Sequence, residues 1–476
     1  MVLRRPLVLV SPLVLAALAS CLIAAGPGLS GASAAALHLA LSRARVTARG
    51  PSRRARVSAV EGAPSVQVVM PPVGLSIEYP VLAQDLGTGA CPPPALIAEL
   101  LRLGSPPLSL AGASQDLTAP SEALAGPPAS WGMATLYSLP AGFWTQLGCL
   151  LGATKDPLTV GLNLKSGELS WAAQMVAGAQ SAATSGLEFS LGNEPDLYEL
   201  PNYQALGDKR SEQEDLGAEN LYLQLAGNLR PAIGSFPLIG PELAAAQHWH
   251  NQLPTVIEQL HDQTVGVHLY PFSACKDPRA ATIRGLLSAG AAQAPHTLAW
   301  VVADASAAGV PAIISEANSV SCGGMAGVSD SPASAVWAVG FVLNALETGF
   351  REVRFHISGG SYDPFIVRGE QVIDEPLETA LVALNQWLPV GSSLRALGAE
   401  RGLLTTAVTG DAGGPGVIFE NEHTRAQTVV LPVAHAVVVS VLSAVRAGLR
   451  TEVFLPRHGH VRVRVGGNSV AAVLSQ

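Results

Sequence analysis

Ser190-Leu191-Gly192-Asn193-Glu194-Pro195-Asp196-Leu197-Tyr198 follows the short run Gly186-Leu187-Glu188-Phe189. The run reads as a buried strand. It ends on Asn193 and Glu194, and the proline behind them cannot extend a sheet ladder. A carboxylate at the C-terminal end of a buried parallel strand is where α/β barrels keep their chemistry. For such a triplet alone, a turn or helix-capping acid is the competing reading. A second stretch of the same form changes the balance. Val310-Pro311-Ala312-Ile313-Ile314-Ser315-Glu316-Ala317-Asn318 is again an apolar strand ending in an acid, and Ser319-Val320-Ser321-Cys322-Gly323-Gly324 makes a loop behind it. Two strand-end carboxylates about 5 Å apart can act on a sugar as acid/base and nucleophile.

Working outward from these two strands, the texture alternates. Strand candidates lie at 74–79, 108–110, 157–164, 187–191, 236–240, 265–270, 310–315 and 352–357, with helical patterns between them. Eight strands in strand–helix alternation predict an α/β fold of the TIM-barrel type, a (β/α)8 barrel over residues 73–391. Short β-type runs split by Gly, Asn, His and Pro fill residues 392–476. Alternating Arg/Val runs fill residues 37–72. These ends together predict an antiparallel β-sandwich built from both termini.

Composition supports a folded chain. Of 476 residues, 48% are hydrophobic and only 13% charged, which excludes wholesale disorder. The net charge is −8, and the Arg-rich ends leave the acidic charge on the barrel. An acidic barrel argues against nucleic acid as a partner. Arg4 and Arg5 precede an apolar run from Leu7 to Ala25, the shape of a signal peptide, so residues 1–36 are expected to be signal and linker. The expected location is outside the cell or on its envelope. Leu18-Ala19-Ser20-Cys21 has lipobox form, which would anchor Cys21 through a lipid; ordinary cleavage near Ala34-Ala35-Ala36 is the other reading. Cys91, Cys149, Cys275 and Cys322 then remain, an even count that permits two disulfides. Cys275 and Cys322 sit just past strand ends, so their loops can meet, and Cys91–Cys149 is the leftover pairing. No Cys-x-x-Cys spacing marks a zinc site, and no Gly-rich phosphate fingerprint calls for a cofactor.

Ser190–Tyr198 together with Ser315-Glu316-Ala317-Asn318-Ser319 resembles glycoside hydrolase family 79, the β-glucuronidase and heparanase-like enzymes of the clan A barrels. The resemblance extends to Leu75-Ser76-Ile77-Glu78, Gly161-Leu162-Asn163-Leu164 and His268-Leu269-Tyr270. It implies a retaining hydrolase acting on an oligosaccharide, polysaccharide or glycoconjugate. Glu194 would be the acid/base, Glu316 the nucleophile, and Asn193 the partner of the hydroxyl beside the reacting carbon. Two positions depart from the family pattern. Ala111-Gly112-Ala113-Ser114 stands where Gly-Gly-Asn-Ser is common, and Ser321 where many members carry a carboxylate-binding tyrosine. A neutral sugar therefore stays open as the alternative glycone, as does a carbohydrate-binding surface protein without catalysis.

The remaining site expectations follow from position. His268 and Tyr270 are two apart on the sixth strand, so they share a direction and line the mouth if it is inward. Glu78 and Asp116, ending the first two strands, and Tyr362, beyond the eighth, are candidate partners of sugar hydroxyls. Asn318 joins them beside the nucleophile. His356 reads as either core or site.

Overall fold

A computed structural model of the chain describes residues 45–47, 55–56, 65–120, 137–198, 211–400, 403–410, 416–433 and 435–475. The N-terminal apolar run and its lipobox lie outside these. Among the described residues no helix is long and apolar enough to cross a membrane.

The central element is a closed eight-stranded parallel barrel. Its strands are β1 (Val73–Ile77), β2 (Leu108–Leu110), β3 (Leu158–Leu162), β4 (Leu187–Leu191), β5 (Leu238–Leu243), β6 (Thr264–Leu269), β7 (Ala312–Ala317) and β8 (Val353–Ile357). They pair in sequence order, and β8 closes on β1. Alternate residues such as Val73, Leu75 and Ile77, or Val353, Phe355 and Ile357, join the main hydrophobic core with the surrounding helices. The residues between them are small, polar or charged: Gly74, Ser76, Ser109, Thr159, Gly161, Ser190, Glu242, Gly266, Arg354 and His356. These fill the lumen. Arg354 on β8 donates across it to Thr159 Oγ1 on β3 at 2.9 Å, and Gln115 Nε2 reaches Ser190 Oγ on β4 at 3.4 Å. The usual branched apolar filling of such barrels is replaced here by a polar column.

Both ends of the chain enter the antiparallel layers. A seven-stranded sheet and a four-stranded sheet enclose a second core that includes Leu397, Phe419, Val429 and Val463. Arg45–Thr47 pairs with Gln427–Pro432, and Ala55–Arg56 pairs outside it. Val66–Gln67 joins the edge of the larger sheet through Ser393–Glu400.

Between β4 and β5 a long helix runs from Glu212 to Ile233. Ser211 and Glu214 form a capping box at its start, which satisfies the first amides reciprocally. Tyr79 opens helix α1 (Tyr79–Leu86), with Pro80 in its first turn, and does not extend β1. Strands Ser393–Glu400, Leu403–Thr409 and Ser469–Ser475 complete the larger sheet. Both disulfides are present, with Cα separations of 5.4 Å for Cys91–Cys149 and 6.0 Å for Cys275–Cys322.

Candidate active site

Glu194 follows β4 in a left-handed conformation, φ 53° and ψ 54°. Non-glycine residues rarely hold such angles unless their surroundings impose them. Two buried acids do so here. Asp116 accepts from the amides of Leu164 (3.0 Å) and Asn193 (3.1 Å) and from Tyr198 Oη (2.5 Å). Asp196 accepts from the amides of Ala244 (3.1 Å) and Ala245 (2.6 Å) behind β5. Burial raises the Asp196 pKa to about 6, and the nearby Glu194 charge adds to the rise. Gly192 is required at φ 75°, because a Cβ there would stand 2.3 Å from Tyr198 Oη.

Glu316 lies within β7, at a point where the register slips. Val267 pairs with Ile314 and His268 with Glu316, so Ser315 is the extra residue of a bulge. Consecutive residues of a regular strand face opposite sides; a bulge re-aims one of them. Glu316 is turned into the mouth in this way. One carboxylate oxygen each of Glu194 and Glu316 lies, with a ring nitrogen of His268, in a group whose members are all within 4.8 Å.

An alternating row of acids and imidazoles crosses the mouth: Glu78, His356, Glu316, His268, Glu194. His268 Nδ1 is 3.0 Å from Glu194 Oε1 and 3.8 Å from Glu316 Oε1. Burial disfavours a charged His268, but the Glu316 charge, the Glu194 hydrogen bond and the charges of Glu194 and Glu242 outweigh it. Its pKa stands at about 10. Tyr270 Oη donates to Glu316 Oε1 at 2.7 Å. His356 Nδ1 lies 3.4 Å from Glu316 Oε2, and its Nε2 lies 3.5 Å from Glu78 Oε1. Burial lowers the His356 pKa, and the Glu316 and Glu78 charges raise it further than that. Glu78 also accepts from the amides of Ala113 (3.0 Å) and Ser114 (2.7 Å). Burial raises its pKa, but His356 and Ser114 bring it below the ordinary value.

The structure therefore brings Glu194, Glu316, His268, Tyr270 and Glu78 together and adds His356. Asn193 is nearly buried, and its side-chain Oδ1 has no hydrogen-bond partner among the described residues. Tyr362 packs against Tyr270 and His356, with ring centroids 6.3 and 6.0 Å apart, and takes a hydrogen bond from Ser358 Oγ. Two expectations need correction. Asp116 is 2% exposed with its oxygens committed to the Asn193–Glu194 turn, so it buttresses the site and does not face a sugar. Asn318 is fully buried and its amide donates to the carbonyls of His356 and Tyr362, each at 3.1 Å, so it ties the β7 and β8 loops together. Asp196 and Glu242 escape a sequence reading. The Asn-Glu-Pro-Asp spelling is the only local hint of the first. Glu242, at an inward position of β5, is hinted at only by strand alternation.

No family model matches the chain, and no curated protein matches it. Its fold is shared with solved glycoside hydrolases. The 4-O-α-L-rhamnosyl-β-D-glucuronidase of Fusarium oxysporum 12S superposes with a TM-score of 0.66 at 19% identity, covering 88% of this chain and 99% of that one. The GH51 arabinofuranosidase of Xanthomonas axonopodis pv. citri gives 0.63 at 13% identity, covering 88% and 99%. The GH30 endoxylanase of Clostridium papyrosolvens C71 gives 0.55 at 12% identity, covering 87% and 98%.

Proposed function

We propose that the chain is an exported retaining glycoside hydrolase of the β-glucuronidase type. The observation that carries this is the strand-end carboxylate pair, with oxygens within 4.8 Å and different surroundings. That spacing suits a covalent intermediate and leaves no room for the water an inverting enzyme places between its acids. Glu316, 9% exposed and facing Tyr270, His268 and His356, is the nucleophile that attacks the anomeric carbon. Glu194 is more open, at 26%, and delivers a proton to the leaving oxygen, then takes one from the incoming water. The Asn193 side chain and the Glu78–His356 pair are the groups proposed to hydrogen-bond the glycone hydroxyls. Export is supported by the N-terminal Arg-plus-apolar run and by two disulfides, which persist in oxidising compartments. The mass of the mature N-terminus separates lipidation at Cys21 from cleavage near Ala34.

A neutral glycone is the second reading. It is favoured by Ser321, whose neighbour Cys322 is tied into a disulfide where a carboxylate-binding tyrosine would help a uronide. Aryl β-glucuronide, galactoside, xyloside and arabinofuranoside offered in parallel, with the anomer of the first product read by NMR, test both. Hydrolysis with retention is expected. No turnover of any glycoside, or a first product of inverted configuration, sinks the reading.

A further inference from the structure

The strongest unexplained feature lies one layer below the carboxylate pair. Glu242, on β5, is 1% exposed, and neither of its carboxylate oxygens has a partner in good hydrogen-bond geometry among the described residues, although the Ser190 and Ser315 hydroxyls stand near enough to favour its charged form. Two more buried polar atoms share that condition: His268 Nε2 and Ser315 Oγ. These belong to one place. Gly266 on β6 pairs with Glu242 on one side, and a Cβ on it would meet Ser315 Oγ at 2.7 Å and Glu242 Cγ at 3.0 Å. The glycine lets the carboxyl and the hydroxyl approach from the two flanking strands. The β7 bulge supplies the hydroxyl, by allowing Ser315 to face inward although Glu316 does too. Ser190, His268, Arg354 and Ser315 are the groups that face the Glu242 carboxyl.

Leaving four buried polar atoms unmet is costly, because each has given up its bonds to water and gained none in return. A buried water commonly makes about three such bonds at once. The chemistry fits: an imidazolium N–H donor, a carboxylate acceptor and a hydroxyl that does either. We propose that Glu242 is a positioning residue that, through an ordered water seated between its carboxylate, Ser315 Oγ and His268 Nε2, fixes His268 as a doubly protonated donor to Glu194 and Glu316. Nε2–H donates down to the water and Nδ1–H donates up to the carboxylate pair, so the ring cannot turn. Around His268 the charged and titratable groups are Glu194 and Asp196 from the β4 end, Glu242 from β5, Tyr270 beyond β6, Glu316 from β7 and His356 from β8. Glu242 is closed off from substrate at 1% exposure; burial raises its pKa, and the His268 and Arg354 charges and the Ser190 and Ser315 hydroxyls act against that rise. This rests on the glycosidase reading for its catalytic meaning and on the lumen geometry for everything else.

The test uses Glu242→Gln, which keeps the shape and removes the charge. In the full chain with ring-labelled histidine, His268 is assigned by the resonance lost in His268→Asn. It should lose its imidazolium signature at least about one pH unit earlier in Glu242→Gln than in the parent. On the glycoside found by the panel, the alkaline limb of kcat/KM should move down by a similar amount, with KM little changed, and Glu242→Asp should recover most of it. Superimposable histidine titrations in parent and Glu242→Gln overturn the proposal, even if the variant melts earlier. If Glu242→Gln does not fold, Ser315→Ala removes one anchor of the water and should show the same shift in smaller measure; no shift there overturns it equally. A parent inactive on every glycoside sinks the glycosidase reading, while the titration arm still decides the link between Glu242 and His268.

Discussion

At the scale of single residues, chemistry and scaffold are separable. Glu316→Ala removes the attacking group and should abolish turnover of every substrate. Glu194→Ala should slow glycosides with poor leaving groups by about 10²–10⁴-fold and activated aryl glycosides far less, because only the former need the proton. Wild-type rates in both variants would refute the assignment. Tyr270→Phe removes a 2.7 Å hydrogen bond to Glu316. A bond to a charged group of this kind is worth about 1.5–3 kcal/mol, so kcat/KM should fall about ten- to a hundredfold with the fold intact by circular dichroism. Gly192→Ala tests the scaffold instead. It puts a Cβ on a left-handed residue and against Tyr198 Oη, so it should cost more than the roughly 1–2 kcal/mol of the backbone strain alone, read as a lowered Tm. The two acids are legible in sequence because each ends an apolar run. The roles of Asp116 and Asp196 are not: an aspartate that binds substrate and one that holds a turn are spelled alike, and only the closed barrel shows which amides reach them.

At the scale of elements, strand existence is legible and strand function is only half so. The apolar half of each alternation identifies β1 to β8, because those residues must face the helices. The other half carries the lumen, and its meaning depends on register. The β7 bulge is the clearest case: no local spelling announces it, yet it lets Ser315 and Glu316 both turn inward. The loops behind β6 and β7 meet in a small parallel pair, Phe272–Ser273 with Val320–Ser321, and the Cys275–Cys322 bond closes them. Gly323 in turn accepts the amide of Ser361 from the β8 loop at 2.7 Å. This linked set rims the nucleophile side of the mouth without supplying reacting atoms. Replacing both Cys275 and Cys322 by Ser should therefore raise KM several-fold more than it lowers kcat. An equal loss in kcat with KM unchanged would place the loops in the chemistry itself.

At the scale of the whole molecule, barrel and sandwich are joined across carboxyl groups whose pKa burial raises. Glu420, 8% exposed on the sandwich strand Gly416–Asn421, meets helix Pro332–Thr348 where Gly340 leaves room for its carboxyl. Burial raises its pKa to about 8, and the charges of Glu347 and Glu422 add to the rise. The ordinary value is 4.5, so the folded state binds this proton more tightly than the unfolded chain. The stability it contributes is complete below the unfolded value and is lost as pH rises through about 8. Asp85, raised to about 7 by burial and by Asp363, and Glu378, raised to about 7 chiefly by burial, act in the same direction. His268 does as well, since its folded value of about 10 lies above the ordinary 6.5. Thermal unfolding should therefore show a Tm that falls steadily from pH 5 to pH 9. Glu420→Gln carries a neutral group at every pH, so its Tm should cross above that of the parent at the alkaline end and match it near pH 5. Parallel Tm curves for the two proteins would show that Glu420 is ionised in the folded state and that the junction is held by something other than its proton.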